Sequence, residues 1–170
     1  MLRVLFNSEF FKSEKIRYKK VKGPAEFAAG VLRLSKEFDV PTRDLIPRHR
    51  QIGWMGQELS NATSVEGWHE GQEWIDTGAL VERINFASEF LGNKENNGVK
   101  QIIKNIESSS SGHLTSAEIV SACLMELGDL LIDQSTYDAL VEFSDSVEGV
   151  SEKISGVLGL IGSTKEFQMA

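Results

Sequence analysis

Within V-E-G-W-H-E-G-Q-E-W, Val65 to Trp74, the chain gathers His69, three glutamates and two of its three tryptophans. His69 and Glu73 stand four residues apart, and Glu66 stands three before His69. On a helix that spacing puts an imidazole and carboxylates on one face, the donor set a divalent metal needs. Gly67 and Gly71 flank His69 and argue against a helix, no second histidine lies nearby, and H-E-x-x-H is absent. The expectation is a loop without a metal. His49, in P-R-H-R-Q, could approach His69 in space, but its flanking arginines would repel a cation. A pair such as Glu66 and Glu70 has the chemistry for general acid–base work, although surface glutamates are common.

Other reaction classes find less support. No G-x-S-x-G turn presents a serine nucleophile, and no G-x-x-x-x-G-K-[ST] or G-x-G-x-x-G loop cradles a phosphate. Cys123 is the only cysteine, which excludes an internal disulfide and a thiolate cluster. Its setting, S-A-C-L-M-E-L, is an apolar helical stripe and predicts a plain buried thiol. Arg83, in L-V-E-R-I-N-F, lies beside another such stripe, where bonding loop carbonyls or a carboxylate such as Glu66 outweighs a catalytic role. No catalytic residue and no cofactor is assigned. The candidate functional loop comprises Glu66, Trp68, His69, Glu70, Glu73 and Trp74, with Arg83 close by. Its structural reading is equally concrete: two indoles anchor a long loop, and two glycines supply backbone conformations closed to other residues. Both indoles are expected to be substantially buried, against helices at 45–59 and 77–91.

The elements that must hold this loop read as helices. Leu2, Leu5, Phe6 and Phe10 recur at helical spacing at the start. Pro24 sits where a first helical turn tolerates it, and Phe27, Val31, Leu34 and Phe38 follow as one stripe. Gly30 on that helix suggests close helix packing, and Val40-Pro41 breaks it. Thr42 or Asp44 caps a helix running to about Leu59, with Leu45, Ile52, Met55 and Leu59 apolar, and with a bend or late start caused by Pro47, Gly53 and Gly56. Beyond the loop, Asp76 or Thr77 caps a helix with Leu80, Ile84, Ala87 and Leu91 as its stripe, closed by Gly92. Val99, Ile102, Ile103 and Ile106 make a short helix, and Ser108–Gly112 reads as a mobile loop and a possible sub-division. Thr115 and Glu118 form a capping box, Ser135 caps the next helix, and a last helix carries Ile154, Val157, Leu158 and Ile161, with Phe167 trailing. No stretch alternates apolar and polar residues long enough for a sheet. The expected fold is all-α: a single helical domain over 1–170, an irregular bundle of about seven or eight helices with one long Trp/Gly-rich loop.

Charge narrows the partners. Residues 1–50 hold 12 Lys+Arg and 6 Asp+Glu, a balance of +6; residues 51–170 hold 6 and 19, a balance of −13. Six basic residues fall between Lys12 and Lys22, but with a single interleaved aromatic, Tyr18, and no recognition helix nucleic acid is not expected as a partner. A solvated connector that pairs with the acidic remainder explains the run. No stretch of eighteen or more apolar residues exists, so no transmembrane segment is expected.

Five stretches carry a resemblance: K-V-K-G-P-A-E-F (20–27), M-G-Q-E-L (55–59), S-V-E-G-W-H-E-G-Q-E-W-I (64–75), L-V-E-R-I-N-F-A (80–87) and the terminal S-T-K-E-F-Q-M-A. Together they resemble the C-terminal part of the bacterial domain-of-unknown-function family 1800. G-W-x-x-G-x-x-W-I followed by L-x-x-R-x-N-F is the most specific portion. The resemblance implies longer, often exported relatives with much of their helical sequence upstream, and it carries no catalytic assignment. Where that family commonly shows a proline pair before V-x-G-W, this chain has Asn61, Ala62 and Thr63. That departure would loosen the loop; the absent upstream portion, taken with the absence of a cap before the first helix, leads to the expectation of a fragment or shortened member.

The resulting functional expectation is a non-catalytic helical binding or structural module of an exported or envelope-associated protein. Its partner would be a protein, a missing upstream domain or a glycan. The competing expectation is part of a metal- or carboxylate-dependent hydrolase-like enzyme, with His69, Glu66, Glu70 and Arg83 lining a cleft completed by an upstream domain or partner.

Overall fold

The chain winds into helices separated by short capped turns, as a computed structural model shows for residues 1–38, 40, 42–109 and 114–170. Among these described residues there is no strand; the only pairings of extended backbone are isolated bridges, Val21 with Met169 and Ser64 with Gly67. The chain opens with two one-turn helices, α1 (Leu2–Phe6) and α2 (Glu9–Lys12), instead of one. The break has a local cause. Ser8 Oγ accepts the N–H of Phe11 and so starts a new helix.

Helix α3 (Pro24–Ser35) begins at the proline and ends where Lys36 turns left-handed, before the Val40-Pro41 break. Pro41 itself lies outside the described residues. Phe27 and Val31 are buried and Leu34 and Phe38 pack half-buried against the same core. Helix α4 (Leu45–Trp54) stops five residues short of Leu59, because Gly56 at φ +100 reverses the chain. None of its residues is buried, although Met55, just beyond it, is.

Helix α5 (Thr77–Leu91) is capped by Asp76, whose carboxylate accepts the Ala79 N–H at 2.8 Å. Its buried face is Ala79, Arg83, Phe86, Ala87, Phe90 and Leu91. The expected stripe is thus rotated: Leu80 and Ile84 lie at its half-buried edge, and Arg83 takes the middle. Helix α6 (Asn97–Ser109) is longer than the apolar run Val99–Ile106 suggests, and Ser108 and Ser109 belong to it. The rest of the serine stretch, with its expected mobile loop and sub-division, lies outside the described residues. Core side chains from both sides of it nonetheless join one cluster.

Helix α7 (Ser116–Glu126) has the expected capping box, with the Thr115 N–H on the Glu118 carboxylate at 2.8 Å and the Glu118 N–H on Thr115 Oγ1 at 3.3 Å. Helix α8 (Gln134–Ser146) is capped by Asp133, not Ser135. Asp133 Oδ1 accepts the Thr136 N–H at 2.7 Å, and the Ser135 hydroxyl only supports it. Helices α9 (Val150–Ile161) and α10 (Lys165–Gln168) complete the chain. Of the ten α-helices among the described residues, the seven from α3 to α9 run ten residues or more.

The core lies between α3, α5, α6, α7 and α9. Close approach depends on glycines other than the one singled out by sequence: Gly30 is exposed and has open space around it. On α6, a Cβ at Gly98 would collide with the Leu34 carbonyl of α3. Just past the end of α9, a Cβ at Gly162 would lie 2.7 Å from Ala87 Cβ of α5. The all-α architecture holds; its tightest contacts are set by small residues that periodicity does not flag. Among the described residues no helix is long and apolar enough to cross a membrane.

Candidate functional site

Residues 55–76 leave α4 and return to α5 as a loop held at several points. Gln57 Oε1 accepts the Ala25 N–H at 2.9 Å, satisfying one of the free donors of the first turn of α3. The Glu58 carbonyl accepts the Trp68 indole N–H at 3.2 Å. Ser64 closes a turn onto Gly67, with Gly67 N–H on Ser64 O at 3.1 Å and Ser64 Oγ donating to Gly67 O at 3.0 Å. Gly67 at φ +104 and Gly71 at φ +76 sit where side chains are strained, so the two glycines do provide the turns. Gly71 then opens a 3-10 turn, Gly71–Ile75.

The two indoles of the loop part company. Trp74 is 8% exposed, with its six-membered ring over Gly23 so tightly that a Cβ there would lie 3.2 Å away. Its other edge faces Gly56. Trp68 is less buried than Trp74 and of intermediate exposure. One hydrogen bond and partial cover hold it, because the turn at 64–67 stays at the surface.

His69 meets Glu73 across the start of the 3-10 turn, Nδ1 to Oε1 at 3.1 Å, with both side chains more than half exposed. They line an open cleft of about 470 Å³ with Gly56, Thr63, Gln72, Trp74 and Asp76. A second cleft of about 240 Å³ is lined by His49, Arg50, Gly53, Trp54 and Glu58. His49 therefore belongs to a different cleft from His69, with its Nε2 3.4 Å from the Leu59 carbonyl. Trp54, 63% exposed, is the indole that faces solvent. The apolar pattern of α4 passes over it, and that omission is the only signal in the sequence that it points outward. Glu66 and Glu70 are exposed and line neither cleft. Among the described residues no group of three or more His, Cys, Asp or Glu side chains is placed to hold a metal.

Arg83 does not reach Glu66. It is fully buried, with Nε donating to Gln168 Oε1 at 2.6 Å and an Nη donating to the Lys22 carbonyl at 2.9 Å. Its guanidinium lies 4.5 Å from the centroid of the Phe27 ring, and its other Nη has no hydrogen-bond partner among the described residues. Burial pulls its pKa down to about 10, against the opposing pull of Glu26, so it stays cationic at neutral pH. Burial, with Arg83 nearby, also lowers the pKa of Lys22, whose ammonium donates to the Phe167 carbonyl at 2.8 Å. Glu26 is held below the usual carboxylate range, chiefly by the hydrogen bond from Lys20. Cys123 is buried and burial pushes its thiol up to about 12, the opposite of an activated thiolate.

Gln168, Lys22 and Gln57 were not singled out by the sequence, because each works through a contact 32 to 145 residues away. The five motif stretches nonetheless meet here. Gly23 packs on Trp74, Ala25 bonds Gln57, Phe27 stacks edge-on with Phe167 at 6.0 Å, and Arg83 joins Lys22 to Gln168. Such a molecule is an all-helical protein whose motifs knit a chain crossing together and leave an open loop face above it. The chain belongs to the DUF1800 family, proteins of unknown function, whose model matches residues 1–169. No curated protein and no solved structure matches it.

Proposed function

We propose that this chain is a non-catalytic helical binding module of an exported or envelope-associated protein, taking a glycan or a protein segment on the face formed by α4 and the 55–76 loop. The observation that supports this reading is Trp54. Its indole stands exposed at a cleft edged by Arg50, His49 and Glu58. A flat apolar ring beside charged and hydrogen-bonding groups suits a sugar ring, which offers a C–H face and a rim of hydroxyls, and it suits an aromatic-anchored protein contact. The test is a titration with a panel of neutral and uronic-acid oligosaccharides, followed by intrinsic fluorescence. The expected result is a saturable change, weakened at least about tenfold by Trp54→Ala with an unchanged urea midpoint. An identical titration for the wild type and Trp54→Ala, or none in either, removes the glycan reading.

A second reading is favoured by the His69–Glu73 pair. A carboxylate on Nδ1 orients the ring and leaves Nε2 to take a proton from a bound hydroxyl or water, in a cleft that Asp76 and Thr63 also line. This is the arrangement of part of a hydrolase-like site completed elsewhere. Hydrolysis of p-nitrophenyl esters or phosphates by the purified chain, lost in both His69→Gln and Glu73→Gln, would support it. Turnover that survives both variants would remove it.

A further inference from the structure

The first twenty residues are a part of the chain that the fold leaves largely uncovered. No residue before Val21 is buried. Leu2, Val4, Leu5, Phe6, Phe10 and Phe11 instead project from α1 and α2 with 42% to 77% of their surface exposed. Phe6 and Phe11 meet edge to face at 4.9 Å, so the two helices present one apolar cluster. Single exposed hydrophobics are ordinary, whereas a contiguous patch marks a contact surface. Around the cluster, residues 1–22 hold seven Lys+Arg and two Asp+Glu. Arg17 is paired with Glu14 and Lys20 with Glu26, and Lys22 donates to the Phe167 carbonyl. Arg3, Lys12, Lys15 and Lys19 have no ion pair or side-chain hydrogen bond among the described residues.

We propose that residues 1–22 form a docking surface for an anionic lipid bilayer. Leu2, Leu5, Phe6 and Phe10 enter the boundary between headgroups and acyl chains, while Arg3, Lys12, Lys15 and Lys19 face the anionic headgroups. Apolar insertion and a basic cluster are the two signals that together give stable peripheral binding. Charge selects this occupant. Residues 1–22 carry +5 (7 basic, 2 acidic), and residues 23–170 carry −12 (11 basic, 23 acidic). An anionic plane therefore attracts one end of the molecule and repels the rest, which orients it. A second copy pairing through the same surface would set +5 against +5, which charge opposes. No described helix is long and apolar enough to span a bilayer, so the contact is superficial. The surface uses neither cleft and is independent of the ligand reading above.

Co-sedimentation of the full chain with vesicles tests this, comparing phosphatidylcholine alone with equal parts phosphatidylcholine and phosphatidylglycerol. Binding is expected to be at least about tenfold tighter to the anionic vesicles and to fall steeply as salt is raised. The paired variants Phe6→Glu/Phe10→Glu and Lys12→Glu/Lys15→Glu alter only exposed side chains. Each should weaken binding at least about tenfold with an unchanged circular dichroism spectrum. Equal binding to both vesicles, binding to neither, or indifference to both variants overturns the proposal. A concentration-dependent dimer that Phe6→Glu/Phe10→Glu dissolves also overturns it, and assigns the surface to a second copy.

Discussion

Arg83 and His69 lie fourteen positions apart in the same motif region, yet they are put to opposite uses. Arg83 is fully buried, donates to Gln168 and Lys22 and covers the Phe27 ring. His69 stands in an open cleft with one exposed carboxylate partner. The same division separates Trp74, packed on Gly23, from Trp68, tethered by a single hydrogen bond at the surface. A side chain's chemical type does not make a site. Burial commits Arg83 and Trp74 to holding three distant stretches together, and exposure leaves His69 and Glu73 available to something outside the chain.

That contrast can be broken by measurement. Trp74→Ala carries the largest expected effect, a loss of about 3–5 kcal/mol in urea unfolding, because a large buried ring leaves a cavity between Gly23 and Gly56. A loss of under about 1 kcal/mol would mean that the crossing is not held there. Arg83→Met comes next, at about 2–4 kcal/mol, since the Gln168 amide oxygen and the Lys22 carbonyl lose their donor inside the protein. Arg83→Lys should recover little of it, having no planar fork to reach both acceptors. Trp68→Ala should cost about 1–2 kcal/mol, in proportion to one hydrogen bond and a half-covered ring; a cost equal to that of Trp74→Ala would erase the distinction.

His69→Ala and Glu73→Gln should each stay within about 0.5 kcal/mol of the wild type, as exposed positions do. Greater destabilisation would make the pair part of the scaffold. Acid sensitivity should come from the helix caps. Backbone hydrogen bonds hold Asp133 and Glu118 below their ordinary values of 3.8 and 4.5. Folding thus lowers both pKa values, so their stabilisation is present above the ordinary values and is lost as pH falls through them towards the folded values. Thermal melts should hold steady down to about pH 5 and decline below it, with a shallower decline in Asp133→Asn.

Much of the scaffold was legible in the chain. The Thr115–Glu118 box, the Asp76 cap, Pro24 at a first turn and the stripes of α6, α7 and α9 are local statements, decided within a few residues by hydrogen-bonding geometry and a 3.6-residue repeat. Misreadings arose where a local rule met competition. Ser135 was outbid by Asp133, a charged acceptor two positions earlier, and α4 ended early because a left-handed Gly56 overrides an apolar repeat. On α5 the expected stripe meets the buried face at Ala87 and Leu91 but not at Leu80 and Ile84, because a cation in the middle of a buried face violates the binary pattern and is tolerated only through partners supplied from afar.

The sequence by itself determined an all-helical chain, the caps at Asp76 and Thr115, the glycine turns of the 64–71 loop and the motifs that mark its family, because each rests on near neighbours. Only the tertiary structure decided that Arg83 joins Lys22 to Gln168, that Trp74 rather than Trp68 is the buried anchor, and that Trp54 is the indole left in the open. Those outcomes depend on which surfaces meet across as many as 145 residues of chain. Burial, hydrogen-bond partnership and exposure are properties of such meetings, so no local pattern encodes them.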